Sequence, residues 1–328
     1  MPWGILGHEW AVDLLKEHVA RQVNRHAYLV TGPQGVGRRT LGVRMAQALN
    51  CPQPPAPGVP CRTCRTCAQI ERMQHPDLAV VQADADGGVL KVDQIRELQH
   101  TLSLAPYEAR FRVALLLRFE EANANAANAL LKTLEEPPPQ VVFVLTAESA
   151  ERLMPTIVSR CEVLRLRPLS LQAARQGLET LWGLPPERAS LLAHLSGGRP
   201  GYALRLHQET ERLDQRQAWL DDQYRLLSAG RVERFSYAEG LAKEKDRLRA
   251  VLLVWLSFWR DVMLRASGAS APLANPDRAE EIERLAARFD LHTAYRTISA
   301  LERTYDLLDR NANPRLAFEV LLLDYPHF

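Results

Sequence analysis

Ala27-Tyr28-Leu29-Val30-Thr31 runs directly into Gly32-Pro33-Gln34-Gly35-Val36-Gly37-Arg38-Arg39-Thr40, and this junction decides the fold. A short strand-forming run ends in a glycine-rich turn, and the stretch Arg39–Leu49 beyond it has helical spacing. Strand, glycine loop and helix in that order are the placement of a phosphate-binding P-loop. There, backbone N–H groups and the helix N-terminus cradle an anion. The glycines fit G-x-x-x-x-G, but the Lys-Ser/Thr that should follow is missing. Arg38 stands where a compact ammonium should reach the β- and γ-phosphates, and a guanidinium fork differs in shape and reach. Arg39 replaces the hydroxyl that should ligate Mg²⁺; Thr40 comes one residue late, about 100° further round the helix. Gly32, Gly35, Gly37, Arg38, Arg39 and Thr40 therefore read as a degenerate P-loop, kept for its turn geometry, with ATP not bound or not hydrolysed.

Working outward, short apolar runs alternate with amphipathic stretches. Strands are expected at Ala27–Thr31, Leu78–Val81, Arg112–Leu117, Val141–Leu145 and Glu162–Leu166. Helices are expected at Trp10–Val23, Arg39–Leu49, Val92–Leu104 and Ala126–Leu134, with Pro137-Pro138-Pro139 stopping the last of them. This is the alternation of a parallel α/β sheet. The acidic partner of a P-loop would stand at a strand end. Here Val113-Ala114-Leu115-Leu116-Leu117 meets Arg118-Phe119 before Glu120-Glu121. If the strand ends at Leu117 no carboxylate sits there; if it runs through Phe119, Glu120 takes the role. After Arg167-Pro168 only helical periodicity remains. It predicts a small helical lid at 168–207 and an all-α domain at 208–328, with Leu248, Leu252, Trp255, Trp259 and Met263 on one buried face and Ile298, Leu301, Tyr305 and Leu308 on another.

The 328 residues suggest two or three domains, and 46% hydrophobic with 24% charged residues excludes disorder as the main state. Lys+Arg 41 against Asp+Glu 39 gives +2, so any nucleic-acid contact must come from local patches or partners. The longest apolar run, Val251–Leu256, is followed by Phe258 and Trp259 and closed by Arg249 and Arg260. A spanning helix needs about 20 apolar residues, so no membrane partner is expected. Met1-Pro2-Trp3-Gly4 opens no signal peptide, and a cytoplasmic location follows as an expectation.

Cys51, Cys61, Cys64 and Cys67 are spaced C-x9-C-x2-C-x2-C. Two x2 spacings set three thiolates on one compact turn, and the Pro-rich Cys51–Pro60 arm brings the fourth. Four thiolates close a tetrahedral shell, so the module spanning 51–67 is expected to hold structural Zn²⁺ with no open position for catalysis. Cys161 reads as a small buried hydrophobe. Ser159-Arg160-Cys161 precedes the last expected strand, at an edge from which Arg160 can reach a neighbouring subunit. By itself that pattern favours an ordinary surface ion pair over an arginine finger acting in trans.

Asn128-Ala129-Leu130-Leu131-Lys132-Thr133-Leu134-Glu135-Glu136-Pro137-Pro138, Ser159-Arg160-Cys161, the four-Cys insertion and His75-Pro76-Asp77 occur together. In combination they resemble the clamp-loader subunits of bacterial DNA polymerase III, members of the AAA+ ATPases. The resemblance covers essentially the whole chain, including Asn311-Ala312-Asn313-Pro314-Arg315-Leu316 near its end. It implies an AAA+ parallel-sheet domain (1–167) with a zinc-module insertion, then the lid and a helical collar for assembly. Within this family the tau/gamma subunit is the ATPase motor, with an intact P-loop. A second kind of subunit keeps the zinc module and Ser-Arg-Cys while its nucleotide site decays, and this sequence looks like the second kind. The family register puts Leu117 and Arg118 where the motor's Asp-Glu pair would stand, Thr146 at the sensor position of the fourth strand, and Gly201 at the lid's sensor-arginine position, with Arg199 two residues earlier. It also makes Arg160 a finger that reaches ATP on the adjacent motor subunit. The implied work is that of a non-hydrolysing structural subunit, partnered by tau/gamma and delta subunits, the sliding clamp and, through the assembly, primed DNA. The alternative is an active AAA+ motor using Arg38 and Glu120. Lys91, Arg96 and Arg110 read as a solvated face slightly more readily than as DNA contacts.

Overall fold

The computed structural model describes residues 3–84, 88–310 and 312–328; Met1, Pro2 and Asn311, on which part of the sequence reading falls, lie outside the described residues. The chain divides into two compact units, Met1–Trp182 with Gly198–Tyr202, and Gly183–Gly197 with Ala203–Phe328.

The first unit alternates helix and strand: α1 (Glu9–Arg21), β1 (Ala27–Thr31), α2 (Arg38–Asn50), α3 (Arg65–Glu71), β2 (Leu78–Val81), α4 (Val92–Leu102), β3 (Arg112–Leu116), α5 (Ala124–Glu135), β4 (Val141–Ala147), α6 (Pro155–Val158), β5 (Glu162–Arg165) and α7 (Leu171–Trp182). All strand pairs are parallel, in the order β2-β3-β4-β1-β5. It is a five-stranded parallel α/β sheet with helices between the strands. Successive residues of a strand point to opposite faces, so each strand feeds two cores. Tyr28, Val30, Val113, Leu115, Val142, Val144 and Leu164 pack toward one side, with Leu15, Leu41 and Met45. Ala27, Leu29, Ala114, Leu116, Phe143 and Leu145 pack toward the other, with Ile95, Leu98, Leu130 and Leu134.

Strand ends differ from the expected ones by a residue or two, for local reasons. β3 stops at Leu116: the Leu117 N–H still donates to Val81 O at 2.8 Å, but Arg118 takes the left-handed conformation (φ 50°) and the chain turns into a 3-10 turn at Phe119–Glu121. β4 continues to Ala147 because β1 pairs with it as far as Thr31↔Ala147. α5 begins where the Asn123 side chain accepts the Ala126 N–H at 2.8 Å, and it ends at Glu135, ahead of the prolines.

The remaining helices are α8 (Pro186–Leu195), α9 (Pro200–Gln208), α10 (Thr210–Leu226), α11 (Arg231–Leu241), α12 (Lys245–Ala266), α13 (Ala279–Arg288), α14 (Leu291–Asp309) and α15 (Pro314–Asp324); α9 starts in the first unit and continues in the second. Leu248, Leu252, Trp255 and Trp259 of α12 are fully buried with Leu301, Leu308 and Phe318, as the periodicity predicted, while Met263, Ile298 and Tyr305 are partly covered. Arg234, itself buried, donates to the carbonyls of Leu226, Leu322, Tyr325 and Pro326 and so ties the C-terminal segment to α11. Among the described residues no helix is long and apolar enough to cross a membrane.

Candidate functional site

The glycine loop joins β1 to α2 at the C-terminal ends of the strands, where open α/β sheets build their sites. Gly35 and Gly37 hold φ of 84° and 116°, left-handed conformations that favour glycine. A Cβ on Gly35 would lie 2.7 Å from Tyr202 N, and the Gly201 N–H donates to Gly35 O at 2.9 Å. The backbone entering α9 thus rests directly on the loop. Arg38 turns inward and is buried, its Nη1 3.8 Å from Glu120 Oε1; Arg39 and Thr40 are exposed, with Arg39 donating to Met73 Sδ.

Neither strand register anticipated this. β3 ends early, and the 3-10 turn carries Glu120 to Arg38, where the carboxylate also accepts the Glu148 N–H at 3.2 Å. Burial is the largest influence on both groups. It holds the Arg38 guanidinium below its usual range and raises the Glu120 carboxyl, each partner's charge opposing the shift. Leu117 is buried at the strand end. Thr146, at the end of β4, spends its hydroxyl accepting the Arg118 N–H at 2.9 Å. Gly201, where the resemblance puts the lid's sensor arginine, has no side chain, and Arg199 stacks over Tyr202, 4.7 Å from the ring centre.

The four cysteines meet. Their sulfurs all lie within 4.8 Å of one another, and Cys61 and Cys67 are 3.9 Å apart. A tetrahedron with metal–sulfur arms of about 2.3 Å has edges of about 3.8 Å, so this donor set fits a Zn²⁺ thiolate shell. Backbone N–H groups point at the sulfurs: Cys61 N–H at Cys51, Cys64 N–H at Cys61, and Cys67 N–H at Cys64, at 3.3–3.4 Å. Desolvation would raise the Cys61 thiol, but hydrogen bonds from the backbones of Cys64 and Thr63 and from neighbouring thiols overcome it and bring it to about 6. Cys161 stands apart; burial pushes its thiol up to about 12.

Sequence reasoning missed how this module is attached. Gln47 of α2 donates to Cys67 O at 2.7 Å and to Glu71 Oε2 at 2.9 Å, and Arg44 pairs with Glu71 while donating to Trp3 O. The Trp3 indole N–H in turn donates to Gly58 O in the Pro-rich arm at 3.0 Å. The available signal was two polar residues three apart on a helix that buries all but two of its residues. The job of His75-Pro76-Asp77 was also unread: Asp77 accepts the N–H groups of Tyr107, Glu108 and Ala109 and pairs with Arg112 at 3.2 Å, fixing the loop before β3.

Arg160 follows α6, with a third of its side chain exposed; its Nη2 donates to Glu135 Oε1 at 2.6 Å and its Nη1 to Thr156 O at 2.8 Å. Arg96 and Arg110 are engaged locally, Arg96 pairing with Asp93 and Arg110 stacking on Phe111, while at Lys91 it is the backbone N–H that donates to Gln94 Oε1.

A family model described as DNA polymerase III, delta subunit, matches residues 7–170, and one described as the C-terminal part of that subunit matches 210–327. DNA polymerase III subunit delta' of Bacillus subtilis is 30% identical over 95% of this chain and 94% of its own length. The delta' subunit of Pseudomonas aeruginosa is 38% identical over 204 residues, and there the match spans only 61% of either chain. Subunit tau of Escherichia coli is 32% identical over 53% of this chain and 27% of its own. A solved gamma-subunit-related protein of Thermotoga maritima aligns over 95% of this chain and 97% of its own with TM-score 0.47 at 16% identity.

Proposed function

The chain belongs to the DNA polymerase III delta' family, and from that premise we propose that it is a non-hydrolysing structural subunit of a sliding-clamp loader, supplying Arg160 in trans to ATP held by a neighbouring motor subunit. The Arg38–Glu120 pair carries this conclusion. The side chain that should grip the γ-phosphate is spent on the chain's own carboxylate, and the strand-end position is apolar. Phosphoryl transfer depends on electrostatic stabilisation by a lysine, Mg²⁺ and its ligands, and this loop supplies none of them in the usual places. Arg160, by contrast, keeps an exposed edge on a short helix end, and a guanidinium fork suits bidentate contact with phosphate.

In this reading 1–167 is the AAA+ domain, 168–207 the lid and 208–328 the collar that holds the assembly. Cys51, Cys61, Cys64 and Cys67 hold a structural Zn²⁺. The partners are tau/gamma and delta subunits, the clamp and, through the assembly, primed DNA, in the cytoplasm. The test is reconstitution of the complex with Arg160→Ala and, separately, Arg160→Lys. Assembly should survive while DNA-stimulated ATPase and clamp loading fall, with Lys a poor substitute because a point charge lacks the fork. Unchanged ATPase and loading in a fully assembled complex would reduce Arg160 to a surface residue.

A further inference from the structure

Glu135 and Arg160 are brought together from two separate motifs. Glu135 is the last residue of α5, and Arg160 lies between α6 and β5. Arg160 is anchored twice, by Glu135 Oε1 at 2.6 Å and by the backbone carbonyl of Thr156 at 2.8 Å. The anchors sit on different nitrogens, Nη2 and Nη1. Two hydrogen bonds on two nitrogens of a planar group fix its plane as well as its position. A guanidinium has five N–H donors in a rigid fork, so the remaining donors stay open to an anion.

The Glu135 anchor is itself held. The prolines that follow Glu136 stop α5, and the Asn123 cap fixes the helix start, so the backbone that carries Glu135 keeps its place along the axis. Yet the pair is exposed, with half of the Glu135 side chain and a third of the Arg160 side chain open to solvent. Exposed ion pairs contribute little to stability, so folding needs this one little. Its effect is on where the guanidinium points.

We propose that Glu135 is a positioning residue for Arg160, holding the guanidinium preset in the orientation in which it meets a phosphate on a neighbouring subunit. The proposal rests on the trans-acting reading of Arg160. An arginine with free rotamers would have to be ordered when the transition state forms; one already tethered by two bonds would not. Misplacement by 1 Å can cost about 10²-fold at a reacting site, and one site among several dilutes that to a partial loss in total turnover.

The test uses the reconstituted complex, with assembly checked by size and with kcat and KM for ATP measured separately in DNA-stimulated turnover. The variants are Glu135→Ala, Glu135→Gln, Arg160→Ala and the double Glu135→Ala/Arg160→Ala. Glu135→Ala should lower kcat with KM little changed. Glu135→Gln should keep most of the activity, because an amide oxygen still accepts from Nη2. The double variant should be no worse than Arg160→Ala alone. If Arg160→Ala impairs turnover while Glu135→Ala does not, the finger stands and the positioning role falls. A loss in Glu135→Ala that repeats in full on the Arg160→Ala background would show a structural role instead. A rise in kcat would mean that Glu135 restrains the finger, and equal losses in the Ala and Gln variants would remove the hydrogen bond as the cause. A silent Arg160→Ala would end the trans-acting reading itself, leaving Glu135 nothing to position.

Discussion

The Arg38 guanidinium and the Glu120 carboxylate lie 3.8 Å apart with roughly nine-tenths of each side chain buried, a buried ion pair beside the glycine loop. Two buried charges that hold one another are costly to separate, because removing one leaves the other unpaired.

Glu120→Ala should therefore destabilise the first unit by about 3 kcal/mol, whereas the double replacement Arg38→Met/Glu120→Leu should be close to neutral. Denaturant melts of the two variants measure this, and a double variant as unstable as the single would show that the pair does more than cancel its own charges. The isolated chain should not turn over ATP in either background. Turnover on the roughly 1 s⁻¹ scale of working enzymes, lost in Glu120→Gln, would instead mark a motor.

Asp77 predicts the acid limb of the stability curve. Desolvation would raise its carboxyl, but the N–H groups of Glu108, Tyr107 and Ala109 and the Arg112 guanidinium outweigh it and hold it below the usual carboxylate range. Between the unfolded value of about 3.9 and that lower folded value, the unfolded chain binds more protons than the native one. Stability therefore rises with pH through this window, is fully present above it, and is lost as pH falls through the folded value. Asp77→Asn should melt lower than the parent at pH 7 and change less between pH 5 and pH 2, windows set by these values. Parallel pH profiles for the two proteins would remove Asp77 from the acid response.

The sheet was legible in the sequence because its central strands β1, β3 and β4 are buried on both faces and read as near-continuous apolar runs, and Leu78–Val81 and Ala27–Thr31 carry the expected bounds. The cluster of four cysteines was legible because thiols that share one turn must be close in sequence. Glu120 was not, because its approach to Arg38 depends on a chain reversal at Arg118, a residue type with no preference for the left-handed conformation. Nor were Gln47 and Glu71, whose partners are far away in the chain and, at Cys67 O, a carbonyl that every residue possesses. Side-chain identity shows what a group can do; which backbone atom it meets is decided by tertiary packing.

Arg234 serves the second unit as Asp77 serves the first. Its guanidinium satisfies four carbonyls at once, three of them in the C-terminal segment 322–326, and it is buried. Arg234→Met keeps much of the apolar stem and leaves those carbonyls without a donor, at about 1–3 kcal/mol for each unsatisfied group that water cannot reach. Hydrogen exchange at residues 318–325 should accelerate while exchange in β1 and β4 stays as it was. Uniform acceleration throughout the chain would show that the loss is global.

Zinc should be felt as far as Trp3. The indole is buried, 1% exposed, and donates to Gly58 O inside the arm that links Cys51 to Cys61; the Trp3 carbonyl accepts from Arg44, which pairs with the Glu71 that also receives Gln47. Protein purified without chelator should carry one equivalent of Zn²⁺, with Zn–S near 2.3 Å by X-ray absorption, roughly the usual thiolate distance. Removing the metal frees the thiolates, loosens the arm and deprives Trp3 of its acceptor. Its emission should then shift to the red and become open to iodide quenching, a change absent from Trp3→Phe. Gln47→Ala leaves all four thiolates in place but removes the bond to the Cys67 carbonyl, so zinc should dissociate about tenfold more readily, the lower end for outer-shell partners. A protein with no zinc and four freely alkylated thiols would end the metal assignment. Bound zinc whose removal leaves Trp3 emission untouched would mean that the shell stands without the strap beneath it.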